Sequence, residues 1–311
     1  MGKGSGRTGG TAEPLARDGR TDRATEAFVA HRKLLFTVAY EMLGSAADAE
    51  DVLQETWLRW AGVALDTVRD ERAYLVRIAT RQALGRLRTL RRRKESYVGP
   101  WLPEPLLTTP DVAEDVELAD SVSMAVLLVL ETLAPTERAV FVLREVFAVD
   151  YDEIAEAVDK SPAAVRQIAH RARVHVAARR PRAVVSADET REALAAFQRA
   201  AETGEVQGLL DILAPDVVLL GDGGGVVQAV QVPVIGAGRV AELAAGPGRF
   251  GTAASLRPAQ VNGHPALVFR IDGRIDTVLA ARLDGGRITG LYAVRNPEKL
   301  SRVERATSLR R

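Results

Sequence analysis

The chain has 311 residues, 47% of them apolar, which is too long for one ordinary core and rich enough for two or three. Its 42 Lys and Arg nearly cancel its 41 Asp and Glu, so bulk charge says nothing about nucleic acid and the distribution has to decide. The lack of cysteine excludes disulfides, thiol catalysis and cysteine-ligated metal, and fits a reducing cytoplasm.

Residues 1–23 are rich in Gly, Arg and Thr and have no apolar stretch, the pattern of a disordered tail and not of a signal peptide. Apolar runs such as MAVLLVL (124–130) are too short to cross a bilayer, so a cytoplasmic protein without membrane contact is expected.

Residues 24–98 show helical periodicity almost free of Gly and Pro. In SAADAEDVLQETWLRW, Ser45 is a predicted N-cap with Asp48 at the capping-box position, and Leu53, Trp57 and Trp60 follow i, i+4, i+7 as a buried stripe. Asp51, Gln54 and Glu55 then share an exposed face, although acids in a first turn also simply complement the helix dipole. Next come nine basic residues without one acid: Arg72, Arg77, Arg81, Arg86, Arg88, Arg91, Arg92, Arg93 and Lys94. Leu75, Ala79, Ala83, Leu87 and Leu90 recur among them near helical spacing, which predicts an amphipathic helix with a basic face. A solvated face usually mixes both signs; a one-sign face repels itself unless an anion lies on it, so a polyanion is expected there. Tyr74, Arg81 and Gln82 have the chemistry for base contacts or stacking.

GPWLPEPLLTTP (99–110) is a proline-rich linker that excludes a continuing helix. Helical periodicity resumes over 112–181 and stops at Pro181. Within it Pro135 suits a first turn, and Val140, Leu143 and Phe147 continue a helix. In DYDEIAEAVDKSPAAVRQIAHRARVHV, Tyr151, Ile154, Ala155 and Val158 face inward on a short helix, and Asp159, Lys160 and Ser161 make a turn. Ser161 caps and Pro162 starts a second helix, on which Val165, Ile168, Ala169 and Ala172 are buried. Arg166, Gln167, His170, Arg171 and Arg173 point outward, the residue types that pair with guanine and adenine edges in the major groove. A plain helical hairpin with a basic surface is the bland alternative. His170 and His175 stand at i, i+5 and do not stack as a zinc pair would, so neither a metal nor a cofactor is expected.

After 181 the pattern changes to two helices (188–203 and 205–213) and short β-rich runs at 217–220, 226–234, 266–271, 277–283 and 288–294, an α+β domain over 186–302 followed by a tail at 303–311.

Taken in this order, the motifs resemble extracytoplasmic-function (group four) sigma factors. DAEDVLQETWLRW and RAYLVRIATRQALGRLR with RRRKESY are similar to region two, and LAPTERAVFVLREVFAVDYDEIAEAVDKSPAAVRQIAHRAR is similar to region four. The likeness extends to the subgroup with a SnoaL/NTF2-like C-terminal domain, through Trp101, Leu102, Pro103, Glu104 and Pro105 (WLPEP), Asp222, Gly223, Gly224 and Gly225 (DGGG), and Asn296, Pro297, Glu298, Lys299 and Leu300 (NPEKL). Val226 stands where that subgroup's motif has lysine, and Asp159 where the turn commonly has glycine.

The resemblance implies a non-enzymatic, multidomain chain: two all-α domains, a region-two helical bundle and a region-four helix-turn-helix, then an NTF2-like α+β domain. It implies docking on the core polymerase, with Asp48, Asp51, Gln54 and Glu55 on the β′ clamp helices and a further contact to the β flap. Promoter DNA would be held at −10 by Arg72, Tyr74, Arg77, Arg81, Gln82, Arg86 and Arg88, with a flipped base taken by the loop at 62–69. At −35 it would be read by Arg166, Gln167, His170 and Arg171, with Arg173 and Arg179 on phosphate. The three C-terminal motifs would form a regulatory contact in place of a separate anti-sigma factor. Two other readings stay open: a helix-turn-helix regulator with a ligand-sensing C-terminal domain, and a SnoaL-like enzyme on a DNA-binding tether. Asp222, Asp272, Asp276 and His264 are the polar candidates for that last reading, although their spacing defines no catalytic set.

Overall fold

A computed structural model of the chain describes residues 19–109, 112, 115–179, 185–246, 254–301, 303 and 307–310. The expected stop at Pro181 and most of the expected N-terminal tail lie outside these residues. The remainder of that tail is corrected: α1 (Gly19–Leu43) begins inside it, and Arg23 is held by ion pairs to Asp66 and Glu71.

The N-terminal bundle is α1, α2 (Ala46–Trp60) and α3 (Glu71–Glu95). Trp60 is completely buried and its indole N–H donates to the Ala24 carbonyl at 2.9 Å, joining α2 to the start of α1. Ser45 caps α2 by accepting from the Asp48 N–H, as the sequence predicts. The second helical block comprises α4 (Val116–Val122), α5 (Met124–Glu131), α6 (Pro135–Phe141), a π-helical turn at Val142–Val146, α7 (Tyr151–Val158) and α8 (Pro162–Ala177). Asp159 ends α7 at φ 56°, in the left-handed region that Asp tolerates better than most residues, and Ser161 caps α8. These two blocks are not spaced apart. Buried residues from Ala24 through Val176 form one continuous apolar core, and the linker expected to separate the blocks is itself mostly buried.

The C-terminal domain has α9 (Ala187–Thr203), α10 (Val206–Ile212), α11 (Ala237–Ala244) and a six-stranded sheet in the order β2-β1-β6-β5-β4-β3. Its strands are β1 (Leu213–Asp222), β2 (Val234–Ile235), β3 (Ala254–Val261), β4 (His264–Ile271), β5 (Arg274–Asp284) and β6 (Arg287–Val294); a short α12 (Pro297–Leu300) follows. β1 and β6 are parallel, placing Asp222 beside Val294, and the other pairs are antiparallel. The expected strand at 226–234 is corrected to bends ending in the two-residue β2, since Val226 and Val232 are 68% and 70% exposed and bury no face against a partner. β3 carries Pro258, which an edge strand tolerates because it need not donate to the ladder.

Both faces of this sheet are covered. Leu267, Leu291 and partly buried Leu279 pack toward α9–α11, while their neighbours Val268, Val278 and Tyr292 pack against Leu102 of the connector and Met124 of α5. The expected C-terminal tail is likewise corrected: the Thr307 N–H donates to the Leu107 carbonyl at 2.6 Å, and Leu309 is buried in the core of the helical blocks.

Candidate functional site

The acidic face of α2 is crossed by α3. Asp51, Gln54 and Glu55 are exposed, but Asp48 is buried and ion-paired with the Arg86 guanidinium at 2.6 Å, which also reaches Asp51 at 2.6 Å. This corrects the placing of Asp48 on the docking surface and of Arg86 on the free basic face: each neutralises the other within the bundle. The Gln82 amide likewise donates to Glu55 at 2.9 Å and accepts from Arg59 at 2.7 Å, joining it to the acidic face.

The rest of the basic helix is divided. Arg72 and Arg88 are exposed. Tyr74 packs on Trp60, with ring centroids 5.8 Å apart, and lies under the Arg77 guanidinium at 4.5 Å. Arg77 reaches Glu156 of α7 at 2.6 Å and Arg81 donates to the Glu156 carbonyl at 2.7 Å, so the second block rests on the face expected to hold the −10 strand. In the loop at 62–69, Leu65 is buried and Asp66 and Arg69 are exposed. On α8, Arg166, Gln167, His170, Arg171 and Arg173 are all exposed, with Arg173 2.9 Å from Glu145. Arg179 donates to the His175 carbonyl at 3.2 Å.

The three C-terminal motifs converge on one point. Asp222 is completely buried, and its carboxylate accepts from the Tyr97 hydroxyl at 2.6 Å, the Leu102 N–H at 2.9 Å and the Lys299 ammonium at 2.6 Å. Gly224 adds its N–H at φ 66°, and a Cβ there would collide with the Asn296 amide, which explains why the turn uses glycine. Asn296 caps α12 and donates to the Tyr97 hydroxyl at 2.8 Å. Lys299 lies 4.1 Å from the centre of the Trp101 ring, and Lys94 of α3 lies 3.3 Å from the same centre. Lys94 is also paired with Glu131, which pairs in turn with the buried Arg138. Trp101 thus joins the N-terminal bundle to the C-terminal domain, and Lys94 extends the link to Glu131 of the second block.

Electrostatics follow from burial. The Lys94 ammonium is pushed down to about 8 by burial, against the pull of Glu131, and burial lowers Lys299 as well. For Glu131 burial pushes upward, but the Arg138 and Lys94 charges together outweigh it and hold the carboxyl below its ordinary range.

Glu104 performs a second task. Its carboxylate accepts from Ala46 N–H at 2.8 Å and Ala47 N–H at 3.3 Å, placing an anion at the N-terminus of the acidic helix. Pro103 and Pro105 are buried on either side of it. One hairpin residue completes the junction. Asn262, at φ 54°, donates to the Tyr40 hydroxyl at 2.6 Å and the Val122 carbonyl at 2.8 Å, and accepts from Leu106 N–H at 2.9 Å. Sequence reasoning missed Tyr97, Glu131, Arg138 and Asn262; only the last left a signal, an Asn-Gly pair typical of tight hairpins.

Of the polar residues considered for an enzymatic pocket, Asp276 lines a cavity of about 490 Å³ between the sheet and helices α9 and α11. Asp222 faces the connector instead, His264 is hydrogen-bonded to the Ala119 carbonyl at 3.1 Å, and Asp272 sits exposed in a turn. Among the described residues no group of His, Asp or Glu is arranged to hold a metal ion, and no helix is long and apolar enough to cross a membrane.

Residues 27–93 match the family described as Sigma-70 region 2, and residues 123–176 that described as Sigma-70, region 4. The chain is 35% identical over 291 residues to the ECF RNA polymerase sigma factor SigJ of Mycobacterium tuberculosis, covering 88% of this chain and 92% of that protein. It is 31% identical over 283 residues to the probable ECF RNA polymerase sigma factor SigI of the same species, covering 90% and 95%. The crystal structure of Mycobacterium tuberculosis SigJ superposes with a TM-score of 0.71 at 34% identity, covering 90% of this chain and 99% of that one.

Proposed function

The chain belongs to the extracytoplasmic-function family of RNA polymerase sigma factors, and from that premise we propose that it directs core polymerase to promoters with defined −10 and −35 elements while its C-terminal domain controls when the two DNA readers separate. Arg166, Gln167, His170 and Arg171 read base edges at −35, with Arg173 and Arg179 on phosphate. Arg72, Tyr74, Arg77, Arg81 and Arg88 hold the −10 strand, and Asp51, Gln54 and Glu55 dock on the polymerase clamp.

The observation that carries the regulatory part is the Glu156 contact. Elements named for positions 25 base pairs apart lie on the order of 85 Å apart along B-form DNA at 3.4 Å per pair. Arg77 of the −10 helix and Glu156 of the −35 block are 2.6 Å apart. Both elements cannot be held in that arrangement, so the blocks part when the promoter complex forms. The Asp222, Lys299 and Trp101 contact opposes the parting, because Trp101 lies in the only chain segment that runs from α3 to α4. That internal restraint takes the place of a separate anti-sigma protein.

The test is transcription by purified core polymerase supplied with this chain over a promoter library. Initiation at a shared −10 and −35 pair is expected. No initiation, together with a duplex footprint made by the isolated chain, would instead identify an ordinary helix-turn-helix regulator.

A further inference from the structure

The cavity of the C-terminal domain has the size of a small-molecule site, about 490 Å³, and an uneven lining. Phe197, Leu243, Leu256, Phe269, Leu279 and Leu291 make apolar walls. The polar lining is concentrated in Gln228, Asp276, Thr277 and Arg295. Arg295 and Asp276 are paired at 2.9 Å and 3.2 Å, so that part of the cavity carries no net charge, and the desolvation of an ionic ligand would not be offset there by an opposite net charge. Arg295 uses three N–H groups on Asp276 and the Gln228 carbonyl; a guanidinium has five, so donors remain for an incoming oxygen acceptor.

The same strands hold the connector from their other face. Side chains alternate along a strand, and at the end of β1 one residue separates the two roles: Gly221 lines the cavity and Asp222 binds the connector; just past the end of β6, Arg295 lines the cavity and Asn296 binds Tyr97. β1 and β6 are adjacent and in parallel register at these positions, Gly221 beside Ala293 and Asp222 beside Val294. The Arg295 and Asn296 N–H groups also both donate to the Asp222 carbonyl, at 2.7 Å and 2.9 Å. A ligand bonded to Arg295 would therefore sit one residue from Asn296 and one backbone hydrogen bond from Asp222.

We propose that this cavity binds a neutral, largely apolar small molecule through one carbonyl oxygen, and that its occupancy alters the Asp222 contact with the connector. The second clause rests on the reading of that contact as a restraint; binding itself is scored without polymerase or DNA, so the two stand or fall separately.

The probe is prodan, a neutral solvatochromic aryl ketone, titrated into the full chain. Saturable binding at one site with blue-shifted emission is expected. Ala293→Phe fills one wall and should abolish it, as should Ala244→Phe on the opposite wall, each checked for an unchanged circular dichroism spectrum. Arg295→Met removes the donor and should weaken binding about tenfold, the usual worth of a hydrogen bond from a charged donor. Absence of saturable binding, or equal binding by both folded filled variants, overturns the site. Amide exchange of Leu102, whose N–H donates to Asp222, should change at least about threefold with bound prodan. Saturated binding with unchanged Leu102 exchange overturns the coupling.

Discussion

The Lys299 ammonium lies 2.6 Å from the carboxylate of Asp222, which is completely buried, and the same ammonium sits over the Trp101 ring of the connector. One ion pair inside the C-terminal domain thereby holds the segment that joins the two helical blocks.

Asp222→Asn should cost about 3–5 kcal/mol of stability, because it strands the Lys299 charge in a buried site. Lys299→Met should also destabilise. The double variant should cost clearly less than the two singles summed, since the surviving side chains leave no uncompensated charge. Urea midpoints of the full chain give the four corners of the cycle; additive losses would mean that the pair does not act as a unit.

Asn262→Ala should lose about 2–4 kcal/mol, from left-handed strain and from unmet partners at Leu106 and Val122. Asn262→Gly keeps the backbone freedom and so isolates the hydrogen bonds. A denaturation midpoint indistinguishable from the parent for both would remove Asn262 from the junction.

Burial pushes the Lys94 ammonium down to about 8, against an ordinary value of 10.5 in the unfolded chain. Between those values the unfolded chain holds more protons, so raising pH through that window should stabilise the folded form. Above about pH 10 the trend should reverse, since burial raises Tyr40 and Tyr97 and the tyrosines of the unfolded chain ionise first. Stability measured from pH 7.5 to 9.5 should rise more in the parent than in Lys94→Met. Parallel curves for the two proteins would contradict the placement of Lys94.

Arg166→Ala should cost about 1–3 kcal/mol in promoter binding and relax preference at one position of the −35 element. Binding to a randomised −35 library scores both. Uniform weakening over all sequences would assign Arg166 to phosphate.

Much of this molecule was legible locally. Ser45, Asp159, Ser161 and Pro162 specify caps and a turn through their own backbone neighbours, and the structure places them as expected. The apolar runs of β4, β5 and β6 were visible as strands, but not the reason they are apolar on both sides, which is that the connector and α5 cover the second face. Asp48 and Arg86 are not legible in the same way, because each helix taken alone presents mostly one sign of charge, whereas α2 and α3 neutralise each other where they cross. Contacts such as Asn262 with Tyr40 span 222 positions in the chain, a separation at which no periodicity operates.

The most direct measurement is the distance between α3 and α8 in the free chain and in the promoter complex. The sequence contains no cysteine, so Thr89→Cys on α3 and Ala178→Cys at the end of α8, both exposed, allow specific labelling for single-molecule energy transfer. High transfer in the free chain, falling when core polymerase and promoter DNA are added and falling partly with Asp222→Asn alone, is the expected result. Transfer that stays high in an initiating complex would contradict the closed arrangement as a restraint on promoter recognition.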